Sequence, residues 1–453
     1  MELENEKYFK DAPVWKSIFV MAVPSVMIIL VMILYNLADM FFIAMLNDTA
    51  QVAAVSLVGP LFSVMAAVAT MVGNGGCTAI AGAIGGGNVR QARVYASVSI
   101  WFTIICGLIC TLVFLPLENP MLKFLGTTPE AWEPAKAYYR VLVIGFAFML
   151  LANTLAMLVR AEGAIKESLL GNVLGTVINI VLDLVFVLVF SWGVFGVALA
   201  TILAQICSWV FGIFYINRKY PFLHIRLFRM RLDRRLLGQV IRLGIPSAIQ
   251  ECQFAVGILI MQALINGFGN DFAAGFTAAN KIDTFAFMPI ESFSIAATTY
   301  VGQNMGAGRL DRVQTGTRRA LVLGTLVCLA MSAVVLPLRR PLLMLFNREP
   351  GVVAAGEAYL LRALSLMFIL AMMFIMNGVL RGAGATTVPM VASIISLWAA
   401  RIPVAYALAY FFGPEEIYWA YPIGWALGLL ICVVSYCRGR WKDKCIVSQA
   451  PQE

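Results

Sequence analysis

The sequence predicts an all-α integral membrane protein with twelve transmembrane helices. They form two six-helix bundles that are related by a pseudo-two-fold axis along the membrane normal. The first observation behind this prediction is composition: the 453 residues are 61% hydrophobic and only 13% charged, whereas soluble domains are about 25% charged. The second is that apolar runs of about 20 residues, long enough to cross a bilayer as a helix, recur along the whole chain. The third is an internal repeat.

The apolar runs place the twelve helices at 15–46, 51–84, 88–116, 131–162, 165–190, 194–216, 236–268, 273–306, 309–336, 351–381, 386–412 and 416–437. Several of these runs exceed 25 residues, which predicts tilted or kinked helices. Pro24 lies early in the first helix and Pro246 early in the seventh. A proline inside a helix removes one hydrogen bond and bends the helix, so Pro24 is a candidate hinge.

Lysine and arginine concentrate at both termini and in the central link 217–235. By the positive-inside rule, this asymmetry predicts that both termini are cytoplasmic in a multi-pass protein of the cell (inner) membrane. The net charge of +9 is then explained by topology and attraction to the bilayer surface, without nucleic acid. The predicted domains are a six-helix lobe at 1–216, a basic linker at 217–235, a second lobe at 236–437 and a tail at 438–453.

The two halves align with each other. A shift of 221 residues places Val159–Ala164 on Leu380–Ala385 and Tyr138 on Tyr359, whereas Pro24 aligns with Pro246 at a shift of 222. Similar registers at separated places are hard to produce by chance. Because each half has an even number of helices, both halves have the same orientation, and such parallel repeats are known in transporters.

Four oxygen-bearing residues of the first half fall at one predicted depth. Asp39 and Asp183 lie about seven residues before the ends of the first and fifth helices, and Thr201 about seven after the start of the sixth, roughly 10 Å below the outer boundary. Asn179 shares a helix face with Asp183. A charge at this depth costs roughly 2.5–3.5 kcal/mol. We therefore predict that these four residues bind a cation, either Na⁺ or a proton.

Other polar residues have a more ambiguous role. Asn36, Asn172 and Gln205 share helix faces with this group, but interhelical hydrogen bonds explain them equally well. The second half lacks the acids, because Met261 and Val404 occupy the equivalent positions. It carries other charges, which are candidates for substrate binding or for structural salt bridges: Glu251, Lys281, Asp283 and Arg401.

Several motifs are absent from the sequence. It has no G-x-x-x-x-G-K-[ST] phosphate loop, so we expect no ATP-driven mechanism on this chain. It also lacks the paired acidic loop motif that an intramembrane prenyltransferase would use, and no nucleophile constellation is evident. We therefore expect no enzymatic activity and no cofactor apart from a coupling Na⁺ or H⁺.

The ordered motifs resemble those of the multidrug and toxic compound extrusion (MATE) family of bacterial transporters. The likeness spans nearly the whole chain and includes Pro24 with Asp39, the run from Asn179 to Asp183, and Thr201. In the second half it includes Gln303–Gly308, Leu380–Gly384 and Arg401-Ile402-Pro403.

The resemblance implies secondary active efflux of organic, mostly cationic compounds, including antibiotics, in exchange for Na⁺ or H⁺ by alternating access. It implies cation binding at the positions of Asp39, Asn179, Asp183 and Thr201, and it matches Glu251 to an acid that part of the family has. Some members carry an acid in the tenth helix, and this chain has none there. The alternatives are a flippase for lipid-linked saccharides of a related fold and, less well supported, an intramembrane enzyme.

Overall fold

The computed structural model describes residues 13–45, 48–219 and 233–444, and within these ranges the regular structure is entirely helical. The central part of the predicted linker, residues 220–232, and the end of the predicted tail lie outside the described residues. The helices are α1 Val14–Met45, α2 Thr49–Gly85, α3 Val89–Phe114, α4 Glu118–Phe124, α5 Trp132–Ala161, α6 Ile165–Asp183, α7 Gly193–Lys219, α8 Arg234–Asn266, α9 Asn270–Gly306, α10 Leu310–Met344, α11 Pro350–Ser365, α12 Met367–Gly382, α13 Thr387–Ile394, α14 Ile402–Phe412 and α15 Ala420–Cys437.

Three shorter segments complete these helices. A π-helical segment, Leu184–Val189, extends α6, and a second, Ile395–Arg401, joins α13 to α14. A 3₁₀ turn, Pro414–Trp419, leads into α15.

All twelve predicted membrane helices are present. Ten helical segments are long and apolar enough to cross a membrane, and the pair α11 and α12, bent by 51°, counts as one further span. The remaining long helix is α9, with 37 residues, whose charged residues lower its mean hydropathy. The described part of the chain is therefore a multi-pass membrane protein.

Two details differ from the sequence prediction. The ninth helix was predicted to end at residue 336, but α10 continues through Pro337 and Pro341 to Met344. A proline removes one backbone hydrogen bond, and the neighbouring turns keep theirs, so it need not end a helix. The short helix α4 was not predicted. Helix α1 also runs through Pro24 without a break.

The residue contacts divide the chain into two compact units. The first unit is Met27–Ala248, and the second combines the residues up to Val26 with Ile249 onward. Each division falls two residues after one of the aligned prolines, Pro24 and Pro246. The predicted domain boundaries at 216 and 236 stay a prediction.

Each unit is built around one central helix. In the first unit, α5 packs against α2, α3 and α7, and its buried side chains include Tyr138, Tyr139 and Leu142. In the second unit, α9 packs against α10, α11 and α12, and the core there includes Phe276 and Tyr359. The cores around the two central helices therefore surround the hydroxyl groups of these tyrosines with apolar side chains.

Helices α2 and the first part of α8 touch through glycine in the first unit. A Cβ atom at Gly244 would lie 1.9 Å from the carbonyl oxygen of Met71, and one at Gly75 would lie 2.3 Å from the carbonyl oxygen of Val240. Both distances are far below van der Waals contact. The two backbones can approach this closely only because neither position carries a side chain, as at other small-residue helix contacts in membranes.

We expect Gly244→Ala to lower the melting temperature of the purified protein, because overpacking costs roughly 1–3 kcal/mol. Gly238→Ala on the same helix is the matched control, since a Cβ there meets nothing within 4 Å and alanine favours helix by about 1 kcal/mol. Equal melting temperatures for the two variants would show that the α2–α8 contact does not depend on glycine.

A buried carboxyl group lies in the turn between α5 and α6. Glu162 is 7% exposed, and its Oε2 atom has no hydrogen-bond partner. Burial raises the pKa of Glu162 well above its ordinary value, and the nearby Glu167 raises it further. Between the unfolded and the folded pKa the native state binds more protons than the unfolded state, so stability falls as the pH rises through this window.

The variant Glu162→Gln has no carboxyl group at this position, so it should not lose stability in this way as the pH rises. We expect the variant to melt at a higher temperature than the wild type at pH 8, with the difference shrinking as the pH falls toward about 4, near the unfolded carboxyl pKa. The exposed Glu130 gives the control Glu130→Gln, which we expect to leave the melting curve unchanged at both pH values. A lower melting temperature for Glu162→Gln at pH 8 would contradict the argument.

Candidate functional site: a buried acid pair

The structure brings the predicted first-half residues together within the first unit. Asp183 and Asn179 have no exposed surface, and Thr201 is 4% exposed. The Asp39 carboxyl group, on α1, lies beside the side chains of both Asp183 and Asn179, on α6. Helices that are distant in sequence therefore place two acidic side chains next to each other.

Two tyrosines belong to the same cluster, and sequence reasoning missed both. Tyr35 lies one turn before Asp39, and its hydroxyl group interacts with Thr201 on α7. Tyr138, on α5, neighbours both Asp39 and Asp183. A signal was available, because Tyr35 is four residues before Asp39 and Tyr138 lies in the repeat. Tyrosine is common in protein cores, however, so neither stood out.

Several polar atoms of this cluster have no hydrogen-bond partner. They are Oδ1 of Asp39, both carboxylate oxygens of Asp183, both polar side-chain atoms of Asn179 and the hydroxyl of Tyr35. A buried polar atom without a partner costs roughly 1–3 kcal/mol, and more when it is charged. The arrangement is therefore incomplete by itself and suits a small positively charged ligand.

The nearest basic residues on α5 are held by another acid. Lys136 Nζ lies 3.6 Å from a carboxylate oxygen of Glu118, and Arg140 Nε lies 2.5 Å from the other one. These two residues flank Tyr138 in sequence. Among the described residues, no lysine or arginine acts electrostatically on Asp39 or Asp183. Lys136 and Arg140 are four residues apart and share one face of α5, whereas Tyr138 lies two residues from each and points to the opposite face, so Glu118 pairs with cations that face away from the acid pair.

The backbone changes its geometry directly after Asp183. Helix α6 ends at Asp183, and the next six residues, Leu184–Val189, form the π-helical segment. The amide of Phe190 donates to the carbonyl oxygen of Val185 at 3.0 Å. Ser191, with φ of 56°, then turns the chain. Single π turns inside α-helices often occur at functional sites, because they re-aim a side chain.

The accessory residues are less engaged with the cluster. Asn172 donates from Nδ2 to the carbonyl oxygen of Ser168 on its own helix at 2.8 Å, which satisfies part of its amide locally. Asn36 is exposed, and Gln205 is half-buried. Pro24 is buried within α1.

In the second unit, Glu251 is half-buried and lies within electrostatic range of Arg381. Arg381 donates to Gln250 Oε1 at 3.2 Å. Lys281 is exposed, and its Nζ atom lies 5.6 Å from the ring centre of Phe346.

Asp283 and Arg401, both half-buried, belong to a separate cluster of the second unit. The Tyr359 hydroxyl donates to Asp283 Oδ2 at 3.1 Å. The Arg401 guanidinium lies 4.4 Å from the ring centre of Tyr421 and 5.9 Å from that of Trp425. The partners of Asp283 and Arg401 thus lie on other helices, namely α11 and α15.

The chemistry of the first-unit cluster suits a hard cation. Carboxylate, carboxamide and hydroxyl oxygens are the ligands that hard cations such as Na⁺ accept, and a carboxyl group can instead hold a proton. Across the ranges that the structure describes, no group of three or more histidine, cysteine, aspartate or glutamate side chains has metal-site geometry. The candidate ligands are therefore Asp39 and Asp183, with Asn179, Thr201 and the two tyrosines around them.

The helices and the buried cluster define an integral membrane protein, and comparisons with known proteins place it in a family of transporters. The sequence model of the MatE family matches the chain twice, over residues 24–185 and 246–407. Because these matches cover more than half of the chain, the chain belongs to the MatE family. This confirms the family that the sequence motifs resemble.

Curated relatives match over most of their length. The chain is 25% identical over 440 residues to the probable multidrug resistance protein YoeA of Bacillus subtilis (strain 168), covering 95% of both chains. It is 28% identical over 402 residues to the probable multidrug resistance protein NorM of Thermotoga maritima, covering 88% of this chain and 86% of the relative.

The fold matches a solved structure, an outward-facing conformation of a multidrug resistance MATE family transporter. The TM-score is 0.91 at 23% identity, and the match covers 98% of this chain and 99% of the other. This likeness confirms the predicted fold class.

The hydroxyl group of Tyr138 provides a test of the site. If the acid pair binds a cation, Tyr138→Phe should weaken that binding about 10- to 100-fold, because the hydroxyl lies within electrostatic range of both acids and loss of a polar group around an ion site typically costs that much affinity. The measurement is the Na⁺ or proton concentration that gives half-maximal thermal stabilisation of the purified protein.

The adjacent Tyr139 offers a matched control, since its hydroxyl donates to the carbonyl oxygen of Phe114 at 2.7 Å rather than to the acids. Tyr139→Phe should lower overall stability and leave the cation dependence unchanged. The same cation dependence in Tyr138→Phe as in the wild type would exclude Tyr138 from the site.

Proposed function

We propose that this chain is a secondary active antiporter, which exports small organic, mostly cationic compounds in exchange for Na⁺ or H⁺ by alternating access. The observation that carries the proposal is the pair formed by the half-buried Asp39 and the fully buried Asp183. Oδ1 of Asp39 and both carboxylate oxygens of Asp183 lack hydrogen-bond partners, and neither acid has a basic neighbour among the described residues. A cation that binds reversibly offsets the energetic cost of such a pair.

The comparisons support the proposed class of transported substrate. Both curated relatives described above are named as probable multidrug resistance proteins, and membership of the MatE family extends over both halves of the chain. We therefore assign this chain to drug export from the cell across the inner membrane, with both termini cytoplasmic, with ion movement rather than ATP as its energy source and without enzymatic activity.

In the proposed cycle, a cation from outside binds Asp39 and Asp183, with Asn179 and Thr201 as further ligands. Binding neutralises charge within the first unit, and α1 then changes shape near Pro24, where one backbone hydrogen bond is missing. Coupling requires that the ion and the drug differ in affinity between the two states. A difference of about 2.7 kcal/mol corresponds to roughly 100-fold coupling.

Ethidium efflux under an imposed gradient tests this proposal. Proteoliposomes that contain the purified chain should export ethidium when an inward Na⁺ or H⁺ gradient is applied. Asp39→Asn and Asp183→Asn should each reduce gradient-driven efflux at least 100-fold, because the carboxylate that holds the ion is lost. Expression and folding should persist, since asparagine is similar in shape to aspartate.

Glu130→Gln is the matched control, because it neutralises an exposed acid outside the cluster, and it should transport as the wild type does. Full efflux by the double variant Asp39→Asn with Asp183→Asn would reject the mechanism. Movement of a lipid-linked saccharide without any ion gradient would favour the flippase alternative.

A further inference from the structure

Arg401 in the second unit occupies a position that corresponds to Asn179 in the first. The repeat has a shift of 221 residues through its middle, where Gly163 and Gly384 both have positive φ values, 84° and 80°. The two family matches, however, both end at a shift of 222, at residues 185 and 407. One extra residue in the second half between these points accounts for this difference in shift.

The π-helical segment Ile395–Arg401 accounts for that residue. A π-helix bonds residue i to i+5 instead of i+4, so one π turn holds one more residue than an α turn. This segment interrupts the helix of the second half, whereas the equivalent stretch of α6 remains α-helical up to Asp183. Beyond the insertion the shift of 222 places Arg401 on Asn179, and it corrects the equivalent of Asp183 from Val404 to Ala405.

The neighbours of Arg401 also correspond to those of the acid pair. Tyr359, the repeat partner of Tyr138, donates to Asp283, just as Tyr138 lies beside Asp39 and Asp183. The ring of Tyr359 packs 5.6 Å from that of Tyr421, on which the Arg401 guanidinium stacks. Each half thus holds an acid beside an equivalent tyrosine.

The two clusters differ in how the acid is neutralised. In the second unit the charge of Arg401 acts on Asp283, and the guanidinium is held in place by the faces of Tyr421 and Trp425. Oδ1 of Asp283 and Nε of Arg401 each lack a hydrogen-bond partner. The two opposite charges therefore lie within electrostatic range of each other, and these two atoms form no hydrogen bond between them.

We propose that Arg401 is a tethered cation, which fills in the second half the place that a monovalent cation takes in the first. Asp283 is then a latent cation site that Arg401 keeps unavailable. This inference rests on the proposed function for the meaning of the first-half site. It adds that the second-half cluster takes no coupling ion, so ion exchange is confined to the first half.

The test is Na⁺ binding to the purified full chain, measured by equilibrium dialysis at pH 8 in the Asp39→Asn and Asp183→Asn background. This background should bind no Na⁺ at either cluster. Adding Arg401→Gln should create one Na⁺ site per chain, and adding Asp283→Asn to that variant should remove it. Arg401→Lys, which keeps a cation on the same helix, should create no site.

Three results would overturn the proposal. They are a folded Arg401→Gln chain without a new site, a new site that survives Asp283→Asn, and a background that already binds Na⁺ through Asp283. Because both first-half acids are absent from these chains, the outcome does not depend on drug transport. A failure of the proposed function would appear separately, as missing gradient-driven ethidium efflux by the wild type.

Melting temperatures provide a second measurement if either single variant folds poorly. Arg401→Gln leaves an uncompensated acid, and Asp283→Asn leaves an uncompensated guanidinium, whereas the double variant is neutral. The loss of melting temperature in the double variant should therefore be smaller than the sum of the losses in the two single variants, as is expected for coupled sites. Additive losses would show that Arg401 does not neutralise Asp283, and would overturn the proposal.

Discussion

The central constraint on this molecule is that two carboxyl groups lie side by side within apolar helices, without a basic partner among the described residues. Asp39 and Asp183 come from α1 and α6 and meet beside Asn179. In low-polarity surroundings such a pair is costly, and Oδ1 of Asp39 and both carboxylate oxygens of Asp183 lack hydrogen-bond partners. A cation that binds there offsets this cost, so the same unfavourable energy favours ion binding.

The helices around the acid pair determine which charged and polar side chains surround it. Glu118, at the start of α4, pairs with Lys136 and Arg140, which lie on the face of α5 opposite to Tyr138. The central position of α5 in the first unit places Tyr138 against them. In the second unit the opposite arrangement holds, since Asp283 has Arg401 within electrostatic range. Equivalent positions of the repeat thus carry different charges, which makes the two halves unequal in chemistry although they share a fold.

Much of this was predictable from the sequence. Long apolar runs predict the twelve helices, and the spacing of Asn179 and Asp183 predicts a shared face. The equal distance of Asp39 and Asp183 from the ends of their helices predicts that the two acids lie at one depth. Tyr35 and Tyr138 could not be distinguished from core tyrosines, because only tertiary packing shows what a tyrosine hydroxyl touches. The equivalence of Arg401 and Asn179 also escaped, since the π-helical residue that shifts the register leaves no clear signature in composition or periodicity.

The most direct measurement of the central claim is cation displacement when a drug binds. Ethidium is added to the purified protein in weakly buffered solution, and released protons and Na⁺ are recorded with a pH indicator and a sodium electrode. The account predicts release of about one cation per bound ethidium from the wild type, and none from the chain with Asp39→Asn and Asp183→Asn. Ethidium binding by the wild type with no release of either cation would contradict it.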